Sequence, residues 1–130
     1  MSAAIETGYD SRPDYRVDLL RRRNRVRVTV AGRVLADTTA AIVVDEQDHG
    51  LVFYVPVRDV DLGQLVATDD RTRCPYKGWA NYWRHVDGDE PIAWGYREPY
   101  PQVAELLDHI AFYQDRVELT VGVADPAVSR

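Results

Sequence analysis

The stretch RCPYKGWANYW, Arg73 to Trp83, holds the chain's one cysteine, its one lysine and two of its three tryptophans. An amine among aromatic rings has several chemical fates. Lys77 can be held by cation–π attraction, or paired with a carboxylate such as Asp59 or Asp61. Desolvation makes an amine a base or an imine-forming nucleophile, whereas a carboxylate partner keeps it an inert ammonium. Cys74 precedes Pro75, which restricts its backbone to an extended form and would aim the thiol reproducibly. A reactive thiolate needs a positive field, which Arg73 or Lys77 can supply. An inert lone cysteine simply packs as a small apolar side chain. Lys77 and Cys74 are therefore the catalytic candidates.

Seven of the thirteen aromatic residues fall between Tyr76 and Tyr100. They suit either an aromatic core or the wall of a ligand pocket, since such pockets are largely apolar with a few polar groups. In the pocket reading Lys77 supplies charge, Arg58 a second anchor, and Tyr54, Tyr82 and Trp94 the walls. The remaining motifs carry less. His49, His85 and His109 lie in a turn, at a strand end and near a helix end. Neither CxxC nor HxxxH spacing occurs, so no metal is expected. RRRNRVR, Arg21 to Arg27, is a local basic cluster, but a net charge of −5 speaks against a nucleic-acid partner. No phosphate loop or GxSxG elbow occurs, and no cofactor is expected.

These residues need a scaffold, and the periodicity predicts strands. RVRVTV (Arg25–Val30) alternates, with Val26, Val28 and Val30 on one face. VLAD continues it as a hairpin through Ala31–Arg33. AAIVVDE and LVFYVP are two more strands around the turn QDHG, the second stopped by Pro56. VRDVDLGQL reads as a helical turn or loop, and TDDRTRCPYKG as a polar connection. WANYWRHV and PIAWGYR flank the hairpin turn DGDE. On the first of these, Trp79 and Trp83 share a face and Tyr82 points to the other. QVAELLDHIAF places Val103, Leu106, Leu107 and Ile110 on one helical face, giving one short C-terminal helix. RVELTVG closes as a strand. The expected fold is thus mainly β: compact, twisted antiparallel sheets with that single helix. Residues 1–14 read as an extension, 15–122 as one domain and 123–130 as a tail. The composition, 45% hydrophobic and 28% charged, suits one globular core. Without a long apolar run, a signal-peptide pattern or a cysteine pair, the sequence predicts a cytoplasmic protein with no membrane partner.

The order of segments ADTTAAIVV, FYVPVRDV, TRCPYKGWANYW, AWGYREPYP and IAFYQDRVEL resembles the domain of unknown function 427 family, from about Arg25 to Val121. The resemblance implies a small tent-like β fold, similar to one known among zinc-containing chaperone-like proteins. This chain lacks their paired cysteines, so their zinc is not carried over. The family's motif blocks contain Tyr54, Asp59, Cys74, Tyr76, Lys77, Tyr82, Trp94 and Tyr96, which adds Asp59, Tyr76 and Tyr96 to the ligand-binding candidates. Three functions remain open at this level. One is a small-molecule protein that binds a polar or anionic metabolite around Lys77. Another is an enzyme using Lys77 or Cys74, and the third is a homodimeric interaction module anchored by exposed tryptophans.

Overall fold

A computed structural model of the chain describes residues 7–124. Ten strands run in order: β1 (Val17–Arg21), β2 (Asn24–Val30), β3 (Arg33–Thr38), β4 (Ile42–Glu46), β5 (Val52–Pro56), β6 (Leu65–Cys74), β7 (Gly78–His85), β8 (Pro91–Pro99), β9 (His109–Phe112) and β10 (Glu118–Ala124). Seven form one sheet in the order β1-β4-β5-β9-β8-β7-β6, and three form a second in the order β10-β2-β3. Every paired neighbour is antiparallel. The mainly β, antiparallel expectation holds.

The alternation in RVRVTV does what it predicts. Val26 and Val28 are fully buried, while Arg25 and Arg27 turn outward and both bind Asp37 on β3. The β2–β3 turn uses positive φ at both Ala31 (50°) and Gly32 (79°), the backbone that matches the twist of a tight hairpin. Val28, Leu35 and Ala36 of the small sheet pack on Val55, Ile92, Ile110 and Phe112 of the large one. The large sheet's other face carries a second core, built from Ile42, Val44, Tyr54, Tyr96 and Ala111 and covered by Val103 and Leu106.

Two expected elements are corrected. No short C-terminal helix forms over 102–112. Pro101–Leu106 makes a 3-10 turn kinked at Val103, Asp108 takes a positive φ of 60°, and His109–Phe112 becomes β9. The reason lies in burial on two faces. β9 sits between β5 and β8, sending Ile110 and Phe112 into one core and Ala111 into the other. A helix would bury one face only. His109 accordingly starts a strand rather than ending a helix.

The polar connection before CPYKG is also a strand, β6. It forms an edge of the large sheet and pairs with β7 alone. Asp69, Asp70, Arg71 and Arg73 are exposed there, and such charges discourage edge-to-edge pairing while hiding the apolar alternation that marks a strand. The predicted hairpin through DGDE is present between β7 and β8.

Candidate functional site

The β6–β7 turn places Cys74, Tyr76 and Lys77. The Lys77 amide donates to the Cys74 carbonyl at 3.4 Å, and the Tyr100 amide donates to the Lys77 carbonyl at 3.0 Å, tying the turn to the end of β8. Gly78 closes it at φ 116°, where a Cβ would stand 3.0 Å from the Glu98 carbonyl oxygen. Lys77 is consequently fixed, and it is only 6% exposed.

Its partner is Glu46, the last residue of β4, and not the expected Asp59 or Asp61. Lys77 Nζ donates directly to Glu46 Oε1. β4 and β7 stand four steps apart in the sheet. In a flat sheet that is about 19 Å, beyond the reach of the two side chains. The large sheet must therefore curl at this end until the turn meets β4. Sheet curvature creates the site.

Glu46 is further held by Tyr15, whose hydroxyl donates to Oε2 at 2.5 Å, and His49 Nε2 lies 3.6 Å from the same oxygen. Burial pushes the Glu46 carboxyl up, but hydrogen bonds from Lys77 and Tyr15 outweigh it and hold the group below its ordinary value. Tyr15 is pushed the other way, by burial and then by its bond to Glu46, and so stays a neutral phenol and a donor. Its ring stacks on Tyr76 with centroids 3.7 Å apart and planes 10° from parallel. The Gly8 amide donates to the Pro75 carbonyl at 2.8 Å, and the Tyr9 hydroxyl to the Tyr76 carbonyl at 3.3 Å. The segment around Tyr9 and Tyr15 thus straps the outside of the turn.

Beside the ion pair lies a cavity of about 230 Å³, walled by Cys74, Lys77, Glu46, Tyr54, Trp94 and Tyr96, with His49 among the residues around it. Of the sequence candidates, Lys77, Cys74, Tyr54, Trp94 and Tyr96 come together here. Tyr54 is buried, edge-on to Trp94 at 6.3 Å. Burial raises the pKa of the Tyr54 and Tyr96 hydroxyls, keeping both neutral. The other four candidates do not line the cavity. Arg58 is exposed, its guanidinium 3.9 Å from Asp59, and Asp59 accepts from the Thr38 hydroxyl at 2.7 Å, a tie from the 3-10 turn after β5 to β3. Tyr76 packs under Tyr15, and the Tyr82 hydroxyl meets that of Thr72 at 2.5 Å, across the ladder from Trp94. Glu46 and Tyr15 were missed. Their only sequence signal is the single lysine among aromatic residues, and the curl of the large sheet decides which carboxylate reaches it.

A larger cleft, about 480 Å³, lies between the β2–β3 and β7–β8 turns and includes Arg33, His85, Asp87, Asp89 and Glu90. Arg33 binds Asp87 at 3.2 Å, and Arg116 approaches Glu90 at 3.6 Å. His85 Nδ1 accepts from the Asp87 amide at 3.1 Å, and Nε2 lies 3.1 Å from Gln64 Oε1. Its polar groups mostly serve the turns, whereas the smaller cavity gathers a buried charge pair and four hydroxyl, thiol or indole groups. The arginine cluster does not converge: Arg21 binds Glu105, and Arg25 and Arg27 share Asp37. Among the described residues no group of three or more His, Cys, Asp or Glu side chains is placed to hold a metal ion, and no helix is long and apolar enough to cross a membrane.

Residues 18–122 match the model of a protein family described as a domain of unknown function (DUF427). No curated protein matches the sequence.

Proposed function

Since the chain belongs to the domain of unknown function 427 family, whose description names no activity, we propose from the site that it binds a small anionic metabolite in the Lys77 cavity. One observation carries this reading: the chain's single lysine is buried in a cavity wall, clamped by Glu46, with aromatic and thiol groups around the same space. An ammonium has three N–H donors, and Glu46 is the one side-chain acceptor Lys77 has among the described residues. Two donors can therefore serve a ligand oxygen. Indole and phenol groups of Trp94, Tyr54 and Tyr96 add neutral hydrogen-bonding partners.

The volume limits the ligand. At ~30 Å³ per water, 230 Å³ holds about eight waters, which suits a short carboxylate or phosphate ester rather than a drug-sized molecule. The direct contact with Glu46 supports Lys77 as an anchor held in one place, with one of its donors already committed. Cys74 remains the nucleophile candidate of the enzyme reading, as it shares this cavity. The test is a thermal-shift titration of the full chain with pyruvate, succinate, glycerol phosphate and inorganic phosphate. Binding should raise Tm with at least one probe, and Trp94→Phe or Cys74→Ala should change that response. Identical responses in wild type and both variants would remove the ligand from this cavity.

A further inference from the structure

On the opposite face of β6, β7 and β8, away from the Lys77 cavity, stand Arg71, Trp79, Asn81 and Arg97. Trp79 is 45% exposed, which is high for so large a ring. The Arg71 guanidinium lies 5.0 Å from its centroid, and that of Arg97 lies 5.8 Å from the Trp83 centroid. Gly95 stands across the ladder from Asn81, so that position brings no side chain to this face. The result is a groove of about 330 Å³ lined by Arg71, Trp79, Asn81, Arg97 and Glu98. Edge-strand protection accounts for exposed charges on β6. It does not account for an exposed indole, which works against that protection.

We propose that this groove binds a nucleoside phosphate. The base stacks on Trp79, Asn81 and Glu98 hydrogen-bond the base edge or ribose hydroxyls, and the phosphates pair with Arg71 and Arg97. Each part of such a ligand meets its chemical counterpart: a ring for the base, an amide and a carboxylate for polar edges, guanidiniums for phosphate. A simple anion would leave the indole unused, and an apolar ligand would leave both guanidiniums unused. Two guanidiniums against one carboxylate make the groove cationic on a chain of net charge −5. Phosphorylated bases come as free nucleotides or in single strands. The groove sits at the small end of ligand sites, which span ~300–1,000 Å³, and the acidic remainder of the chain repels a polyanion. Both select the free nucleotide. This site is independent of the Lys77 cavity.

The three tryptophans provide the test. Nitrogen-15-labelled full chain should give three indole signals, assigned with single Trp→Phe variants. At low salt it is titrated with ATP, with tripolyphosphate and with a short oligothymidylate. ATP should move the Trp79 signal saturably and leave Trp94, in the other cavity, in place. Tripolyphosphate should bind at least about tenfold more weakly, and Trp79→Ala and Arg97→Gln should each weaken ATP binding about tenfold. Absence of a saturable Trp79 shift, or equal binding of ATP and tripolyphosphate, would overturn the proposal. So would tighter binding of the oligothymidylate, or a Trp79 shift that follows protein concentration alone, as a second copy covering the groove would produce. A shift confined to Trp94 would move the nucleotide to the Lys77 cavity and equally overturn it.

Discussion

Replacing Lys77 by Met leaves the Glu46 carboxylate buried, with Tyr15 as its donor and His49 at 3.6 Å. The Lys77 and Glu46 side chains are only 8% and 11% exposed. Removing one member of such a pair costs about 3–5 kcal/mol, because the survivor keeps its desolvation penalty without its partner. That is a large share of a domain's ~5–15 kcal/mol. At ~3–5 °C per kcal/mol for a chain of this length, a cost of about 4 kcal/mol lowers Tm by about 12–20 °C. Lys77→Met combined with Glu46→Gln removes both charges, so its cost should fall short of the two single costs added together by about 2–3 kcal/mol. Urea midpoints at an unchanged m-value read these differences. Single variants costing below about 1 kcal/mol, adding without coupling, would show a solvated pair and refute the reasoning.

Three further outcomes follow from the same geometry. Tyr15→Phe removes the donor to Glu46 Oε2 and should cost about 1–2 kcal/mol in urea unfolding; no loss would detach the strap from the site. The folded Glu46 carboxyl is held below its ordinary value, so its stabilisation is complete above the unfolded carboxylate range of ~4 and is lost as pH falls through the folded value. Asp37, drawn down to about 2 chiefly by hydrogen bonds from Arg25, adds its own loss as pH falls from ~4 to ~2, at most about 1 kcal/mol for a partly exposed pair, and this part is common to wild type and Glu46→Gln. Urea midpoints measured down the acid range should therefore fall less steeply in Glu46→Gln than in wild type. Gly95→Ala puts a Cβ 2.8 Å from the His109 carbonyl oxygen and 3.3 Å from the Trp83 ring, and should cost about 1–3 kcal/mol by prising β8 from its neighbours; a neutral result in thermal unfolding would contradict that close packing.

Local pattern in the sequence is enough to locate most strands and the CPYKG turn, because alternation and turn residues are short-range signals. It reads Val26 and Val28 correctly as core, and of the walls it names beside Lys77 the cavity has Tyr54 and Trp94 but not Tyr82. It fails where a segment is buried on two faces, as in HIAF, whose short apolar run fits helix and strand alike. It fails again on β6, where edge charges mask the alternation. Glu46 and Tyr15 are illegible for a different reason. Their approach to Lys77 depends on how far a seven-stranded sheet curls, a property of the whole sheet that no local spacing encodes. Arg58 and Asp59 show the converse: an arginine suits an anion site and Asp59 stands in a family motif block, but the turn after β5 leaves Arg58 exposed and commits Asp59 to Thr38 on β3.

A single lysine gives a single side-chain ammonium signal, and that makes the central claim directly measurable. The nitrogen-15–proton correlation of Lys77 Nζ is recorded on the full chain while pyruvate, succinate, glycerol phosphate and inorganic phosphate are added. A buried ammonium bound to Glu46 should resist exchange with water, remain visible, and shift saturably with at least one of these anions. A signal erased by rapid exchange, or one visible and unmoved by all four, would contradict an anion site at Lys77.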